Sequence, residues 1–593
     1  MRKDFTREFH QLIVPRFFLI TSFFAATVLL TSSLARPGAQ ASPASAAYHR
    51  GLEALGKGDL PSARTAFEKT VRFAPANADA QASLGWVLAQ QGELDPAATH
   101  LKTAVKLRPT FTNARITLAS VLAQQGNAPE AEQQLRTAIK DDPKSAEAHR
   151  MLGRMLSQRN APEESTSELR RALELAPERA DLHDDLGSQL AQQSNFTEAA
   201  SALKEALRLQ PNFAAAHFHL GALRLQQQHL EEATGELIKA TELAPRDPTS
   251  HFFLAKALAA QSKSSDALRE LRTTVELKPE WFEAQIALGL ACQRAPDPDC
   301  AVAAFETATK LHPQDPEAFN DLGLGLIQKG EAEKSIPAFR TAAQLRPEDG
   351  SFRENLGIAF IQRADFDDAI TELNAAIALS PTSSSAHYNL GLAYKLQDRL
   401  DKAVAELQKA IELKPDLADA HYTLGVLYWQ QAEFDKAAEQ LHSAIQYEPN
   451  FAEAHYTLGT VLKQQSKLPE AAAELREALR LQPDFAGAHT TLAAVLRQQG
   501  DAAGAAEEAK AASAISVNNT NLQAATFSTN SGKRLFDNGD LDAAIAQFRA
   551  AVQSSETYSP AHLYLARALQ RQGHIEDAAK EFQRAAELGA PSK

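Results

Sequence analysis

The sequence predicts an all-α fold, an α-solenoid built from antiparallel helical hairpins that repeat every 34 residues. Three observations predict it: prolines at a fixed interval, small residues at fixed places before each proline, and two helix-compatible stretches in every interval. A constant period of this length is typical of a stack in which each unit contacts only its neighbours. The prolines that mark the period are Pro75, Pro109, Pro143, Pro177, Pro211, Pro245, Pro279, Pro313, Pro347, Pro381, Pro415, Pro449 and Pro483.

The interval that ends at Pro449 shows how one unit is expected to fold. Residues 417–431 (LADAHYTLGVLYWQQ) and 435–447 (DKAAEQLHSAIQY) each fit a helix, and residues 432–434 fit a turn. The proline ends the second helix because it has no N–H to donate and pushes the preceding residue out of helical geometry. Each interval is therefore predicted to be one helical hairpin.

Small residues recur at two positions of the unit, counted back from its terminal proline. Position 24 is glycine in most units, as in Gly85 and Gly425, and position 12 is alanine in most units, as in Ala437. A helical glycine costs about 1 kcal/mol relative to alanine, so its recurrence requires a structural reason. We expect the paired helices to approach closely there, with a large residue such as Leu101 at position 8 filling the space beside the glycine.

This hairpin, with its small residues and terminal proline, resembles the tetratricopeptide repeat. Counting in register gives 14 contiguous units over residues 44–519 and two more over 525–558 and 559–592. The resemblance implies a right-handed superhelix whose first helices line a concave groove. It also implies a protein that binds peptides or other proteins.

The period fails at one place and divides the predicted chain. Val517 stands where a proline is expected, Ala509 where a large residue is expected, and residues 518–530 are polar. We predict a superhelix of units 1–14 over residues 42–519, an insertion or hinge at 520–524, and units 15 and 16 over 525–593. Those last two units are expected to move as a separate pair.

The first 41 residues resemble an export signal. Basic residues precede a charge-free apolar run, Phe17–Ala35, which is followed by Pro37, Gly38 and the small-residue site Ala39–Ala41. The run is long enough to compete as an uncleaved membrane anchor, although we favour cleavage near Ala41. Both interpretations place the repeats outside the cytoplasm, periplasmic or extracellular, or tethered to the inner membrane. The alanine-rich composition and this signal indicate a bacterial protein.

Composition and motifs exclude several kinds of activity. The net charge of −13 opposes nucleic-acid binding, which usually needs a basic surface. Histidines such as His421, His455 and His489 recur once per unit, too far apart to share a metal ion, so we interpret them as packing residues. The repeat accounts for every candidate nucleophile and base, and we predict neither a cofactor nor an enzyme.

Cys292 and Cys300 are the only cysteines, and they flank the turn of unit 8. In an oxidising compartment they could form a disulfide across that hairpin, provided that their Cα atoms are close enough. Two unpaired thiols, one buried and one exposed, are the alternative.

By analogy with the family, the groove is lined by positions 27, 23 and 20 of each unit. In units 11–14 these positions combine aromatic, aliphatic and basic side chains, which suit an extended peptide with apolar and acidic side chains. The candidate groove residues are Tyr388, Leu392, Lys395, Tyr422, Val426, Trp429, Tyr456, Lys463 and Arg497. Units 4 and 5 are charged at their inner positions instead, with Arg150, Arg154, Asp181, Asp184 and Asp185. Inter-unit packing is the alternative role for the tyrosines.

The leading functional hypothesis is a non-enzymatic scaffold that binds partner proteins or peptides in its groove. The alternative is an envelope-assembly or polysaccharide-export component whose groove binds a glycan or an outer-membrane partner through side chains such as Tyr422 and Trp429. An enzyme would need a catalytic domain, and the segments outside the repeats are too short for one.

Overall fold

The structure is a computed structural model that describes residues 42–589. The predicted signal, cleavage site and tether at residues 1–41 lie outside the described residues, so export and location stay predictions. Within the described range, no helix combines the length and the apolar character needed to cross a membrane.

The described chain contains 31 α-helices and no β-strand. The first sixteen are α1 Pro43–Gly56, α2 Leu60–Phe73, α3 Ala78–Gln90, α4 Leu94–Leu107, α5 Thr112–Gln124, α6 Ala128–Asp141, α7 Ala146–Gln158, α8 Pro162–Leu175, α9 Ala180–Gln192, α10 Phe196–Leu209, α11 Ala214–Gln226, α12 Leu230–Leu243, α13 Pro248–Ala260, α14 Ser264–Leu277, α15 Phe282–Arg294 and α16 Pro298–Leu311. The others are α17 Pro316–Gln328, α18 Ala332–Leu345, α19 Gly350–Arg363, α20 Phe366–Leu379, α21 Ser384–Leu396, α22 Leu400–Leu413, α23 Ala418–Gln430, α24 Phe434–Tyr447, α25 Ala452–Gln464, α26 Leu468–Leu481, α27 Ala486–Gln499, α28 Ala502–Asp537, α29 Leu541–Ser554, α30 Ser559–Gln572 and α31 Ile575–Glu587.

The helices pack as consecutive hairpins, which confirms the predicted all-α solenoid. Up to α27, each odd-numbered helix is the first helix of a unit and packs against the even-numbered helix that follows it. The described residues divide into two compact blocks, with the boundary between Pro313 and Gln314. Within each block, the second helix of a unit also contacts the first helix of the next, so the hydrophobic core runs along the row of hairpins.

The hairpins close through the small residues that the sequence singles out. A Cβ atom placed on Gly425 of α23 would lie 2.8 Å from Cγ of Leu441 and 3.3 Å from the carbonyl oxygen of Ala437, both on α24. On Gly85 the same atom would lie 2.6 Å from Cγ of Leu101. These distances are too short for a side chain, so the glycine at position 24 and the large residue at position 8 fit together as predicted.

The joint between units 14 and 15 differs from the predicted organisation. Helix α28 runs without interruption for 36 residues, from Ala502 to Asp537, and serves as the second helix of unit 14 and the first helix of unit 15. The inserted residues 520–524 and the polar segment 518–530 are therefore helical. Because Val517 replaces the usual proline, the backbone hydrogen bonds continue through the joint. The separate movement of units 15 and 16 stays a prediction.

We expect that Ala437→Leu destabilises the hairpin of unit 12. Ala437 has no exposed surface and its backbone lies beside Gly425, so the added atoms must displace a helix. The cost should be about 1–3 kcal/mol, measured as a lower urea concentration at the unfolding midpoint. Ala405→Leu, on the exposed side of α22, is the matched control and should leave that midpoint unchanged. Equal midpoints for the two variants would contradict the packing register.

Candidate partner-binding groove

The candidate groove residues lie on the first helices α21, α23, α25 and α27 of units 11–14. Helix α23 contacts α25, and α25 contacts α27, so these first helices form a continuous row. Every candidate residue is partly exposed, except Arg497, which is exposed to solvent. Each candidate has fully buried residues close to it on the same helix, such as Leu427 beside Val426. The nine candidate residues, called the stripe from here on, are therefore the accessible positions next to the buried residues of these first helices.

The three tyrosines of this stripe are partly used for packing between units. The ring centroid of Tyr422 lies 4.8 Å from that of Phe451, and Tyr456 lies 4.7 Å from Phe485 in the same way. Burial raises the pKa of Tyr388, while a hydrogen bond with Thr423 acts in the opposite direction. The packing alternative thus accounts for much of the tyrosine surface.

Three cations in the stripe have no carboxylate partner among the described residues: Lys395, Lys463 and Arg497. Each lies in the last turn of its helix, where the negative end of the helix dipole favours a positive charge. Burial lowers the pKa of Lys395, and no carboxylate opposes that effect. These side chains therefore keep hydrogen-bond donors available to a ligand.

The charged side chains at the inner positions of units 4 and 5, in contrast, pair with one another. The guanidinium of Arg150 donates to Asp185 over 2.5 Å and contacts Asp181 at 2.8 Å. His219 of the next unit lies 2.8 Å from Asp184. Burial opposes protonation of His219, but the attraction of Asp184 outweighs it and raises the pKa of His219. Here the charges neutralise one another within the protein.

The recurrent histidines are structural residues that join one unit to the next. Nδ1 of His455 lies 2.6 Å from a carboxylate oxygen of Glu474, in the same unit, and Nε2 lies 3.1 Å from the carbonyl oxygen of Pro449, in the preceding unit. Both partners are acceptors, so the ring can satisfy them together only when both nitrogens carry protons. The bond to Glu474 accordingly raises the pKa of His455 against the effect of burial. The same pairing with a glutamate recurs at His149, His217, His251, His387, His489 and His562.

The structure brings the sulfur atoms of Cys292 and Cys300 to bonding distance, with Cα atoms 5.8 Å apart, inside the normal disulfide range. A carboxylate oxygen of Asp297 lies near both sulfurs. That carboxylate already accepts the backbone N–H of Cys300 at 3.1 Å and contacts Arg272 at 3.2 Å. These bonds occupy Asp297, so we assign it no metal, and the disulfide stays a prediction.

Family models describe nearly the whole repeat region. A model described as tetratricopeptide repeat matches residues 48–110, 185–250, 253–316, 293–350, 422–484 and 456–516, which together exceed half of the chain. A second tetratricopeptide repeat model matches 88–155 and 535–591, and a TPR repeat model matches 359–398 and 395–432. The chain belongs to the tetratricopeptide repeat family.

Several solved structures are similar to this chain. The Cut9–Hcn1 hetero-tetramer of the APC/C is 18% identical, with 80% of this chain and 98% of that chain covered and a TM-score of 0.36. YrrB, described as a TPR protein with an unusual peptide-binding site, is 24% identical over 31% of this chain and 95% of its own, with a TM-score of 0.28. MamA is 30% identical over 28% of this chain and 96% of its own, with a TM-score of 0.26. No curated protein sequence matches the chain.

We expect that His455→Gln removes a pH-dependent part of the stability. A glutamine fits this position, because Gln81 and Gln285 donate to the equivalent carbonyl oxygens over 2.9 Å in units 2 and 8. Since the pKa of His455 is raised on folding, its contribution is complete below pH 6.5, the ordinary histidine value, and is lost as pH rises through the higher folded value. Urea unfolding should therefore show a loss of a few tenths to about 1 kcal/mol at pH 5.5, and a smaller loss at pH 8.5.

His183→Gln is the matched control for this prediction. Nε2 of His183 donates to the carbonyl oxygen of Pro177 over 2.9 Å, but Ala202 stands where the unit of His455 has its glutamate. The free energy of unfolding of the control should differ from that of wild type by an amount that changes less with pH than the difference for His455→Gln. A loss at His455 that stays constant between the two pH values would contradict the ionic pairing.

Proposed function

We propose that this protein is a non-enzymatic scaffold that binds an extended segment of a partner protein along the stripe of units 11–14. Membership of the tetratricopeptide repeat family supports the general role of a protein-interaction scaffold. The observation that carries the site is the set of cations without carboxylate partners in the described part of the chain, Lys395, Lys463 and Arg497, in a row whose other candidate residues are aromatic or aliphatic. Buried or half-buried charges are normally paired, so unpaired ones in one row favour a ligand that supplies the carboxylates.

The spacing of the row indicates what a ligand would look like. Equivalent residues of neighbouring units lie roughly 10 Å apart, since packed helices are spaced 8–10 Å apart. An extended peptide covers that distance in about three residues. Lys395, Trp429 and Lys463 occupy the same position of three consecutive units. A matching segment carries an acidic residue, an apolar residue three places later and a second acidic residue three places after that.

No contact in the row favours the glycan-binding alternative. Sugar stacking needs an open aromatic face, whereas the rings of Tyr422 and Tyr456 pack against Phe451 and Phe485, each the residue just before the next first helix. Trp429 remains partly exposed, yet it lies between two cations that a neutral glycan does not require. An acidic protein segment can pack against Trp429 and pair with both cations.

The proposal is tested with fluorescent peptides and charge-reversed variants. One peptide carries glutamate, leucine and glutamate at every third position, and its counterpart carries lysine instead of glutamate. At an ionic strength of about 0.15 M, where charges more than about 8 Å apart are largely screened, the full chain should bind the acidic peptide and not the basic one. Lys395→Glu with Lys463→Glu should weaken acidic-peptide binding about tenfold or more.

Lys409→Glu is the matched control, because Lys409 lies on the second helix α22, exposed, and pairs with Glu412 at 2.9 Å. Its affinity for the acidic peptide should stay within about twofold of wild type, because a rim charge far from the ligand is screened. Equal losses for the control and the double variant would show a nonspecific charge effect and overturn the proposed site.

A further inference from the structure

The middle of helix α28 has no covering surface within the described part of the chain. Every residue from 513 to 524 is exposed, except Ile515, which is partly exposed. Val517 is 57% exposed and Phe527 is 72% exposed, the highest value among the exposed large apolar side chains. At the regular joints within each block, the second helix of a unit packs against the first helix of its own unit and against the first helix of the next. This stretch is therefore an unpartnered helix.

The composition of this stretch is unsuited to an isolated helix in water. It contains Asn518, Asn519, Thr520 and Asn521 in succession, all residues of low helix propensity. Helices in proteins owe most of their stability to packing on an apolar face. From Ala511 to Gly532 no residue carries a charge, although exposed helices are normally rich in charges. Both observations indicate that another surface covers α28.

The intact joints show which surface belongs there. At the joint of units 2 and 3, Ala114 of the incoming first helix packs against Ala104 and Ala82, on the second and first helices of the preceding unit. Between units 14 and 15 this contact cannot form within one chain, because α28 is both the second helix of unit 14 and the first helix of unit 15. The end of unit 14 and the start of unit 15 are both left open. Thr490 is exposed, whereas its equivalent Tyr456 is partly buried.

The two open faces are complementary in size. At the joint of units 13 and 14, the large residues are Tyr456 and Phe485, whose ring centroids are 4.7 Å apart. At the open joint, Thr490 and Ala524 occupy those places, in the register fixed by the contact of Gly532 with Phe548. A large side chain, Phe527, is found one helical turn later instead, at a position where most units have a buried alanine. Leu182 is fully buried at that position of unit 5, so the joint can take a large side chain.

We propose that a second copy of this chain covers α28 by reciprocal exchange: units 15 and 16 of each copy stack on unit 14 of the other. The recurring joint identifies the occupant, because each open face is half of an interface that the chain builds from its own residues at the intact joints. Such an exchange forms two identical joints around a two-fold axis. The inference is independent of the peptide groove and of the ligand proposed for it.

The charge pattern permits a second copy to approach at this place. The chain carries a net charge of −13, so two copies repel each other over most of their surface. The segment from Ala511 to Gly532 is the part of the described chain where this repulsion is weakest locally, since it has no charged side chain. With antiparallel helices, the polar residues 518–521 of the two copies meet near the axis. Their amide and hydroxyl groups are able to hydrogen-bond to each other there.

The test measures the mass of the full chain by light scattering over a range of concentrations. Wild type should be a dimer, and Val517→Pro, which restores the helix stop, should shift it to monomer. Ala503→Pro is the matched control, because Pro469 occupies the equivalent place at the start of α26. It should remain dimeric. A monomeric wild type, or a dimer that Val517→Pro leaves unchanged, would overturn the proposal.

A second variant covers the case in which Val517→Pro disturbs folding. Phe527→Ala removes a side chain that is exposed in the single chain, so the helicity and the unfolding of the monomer should not change. The dissociation constant of the dimer should rise about tenfold or more. A photoreactive phenylalanine analogue at residue 527, in co-expressed isotope-labelled and unlabelled chains, should crosslink to α27 of the other copy. Crosslinks within one chain only, or an unchanged dissociation constant for Phe527→Ala, would contradict the exchange.

Discussion

The structure depends on the close approach of two helices at one small residue in each hairpin, which is glycine in most units and alanine at Ala119, Ala255 and Ala493. A Cβ atom on Gly153, Gly221 or Gly459 would lie 2.6–2.7 Å from the facing leucine Cγ, so in these hairpins the paired helices leave no room for a larger residue unless a neighbour shifts. Because this contact recurs in nearly the same form, these hairpins share one shape. The row of first helices, and hence the candidate groove, follows from that repetition.

The joints show how the protein deals with polar groups that stacking would bury. Histidines such as His455 use both ring nitrogens, one for a glutamate in their own unit and one for the last carbonyl of the preceding unit. In units 4 and 5 the inner cations are neutralised by Asp181 and Asp185. A buried ion pair of that kind contributes little net stability but leaves nothing for a ligand. Against this background, Lys395 and Lys463 differ because they have no carboxylate partner within the described residues, and the proposed ligand would supply it.

The fold was predictable from the sequence because its determinants are local and periodic. Gly425, Ala437 and Leu441 lie within one unit, and their contact follows from the spacing alone. The glutamates that pair with the histidines were missed, although a glutamate 19 residues after the histidine recurs in the sequence and could have revealed them. The continuous helix α28 was not predicted, because the loss of proline at Val517 indicated a weak joint, while the asparagines that follow argued against a helix. The candidate groove residues lie on the row of first helices and their binding role stays a prediction, while the packing of Tyr422 and Tyr456 against Phe451 and Phe485 depends on ring contacts that spacing does not specify.

Lys395 lies half-buried in the row with no carboxylate beside it in the described part of the chain, so the pKa of its amino group is the measurement to make. The full chain, labelled with ¹³C at the lysine Cε atoms and assigned with Lys395→Arg, can be titrated by NMR alone and with the acidic peptide. We expect a pKa below the ordinary lysine value of 10.5 in the free protein, since burial opposes the charge, and an increase when the peptide binds. A pKa at or above 10.5 in the free protein would show that a carboxylate already pairs with Lys395 and would overturn the proposed site.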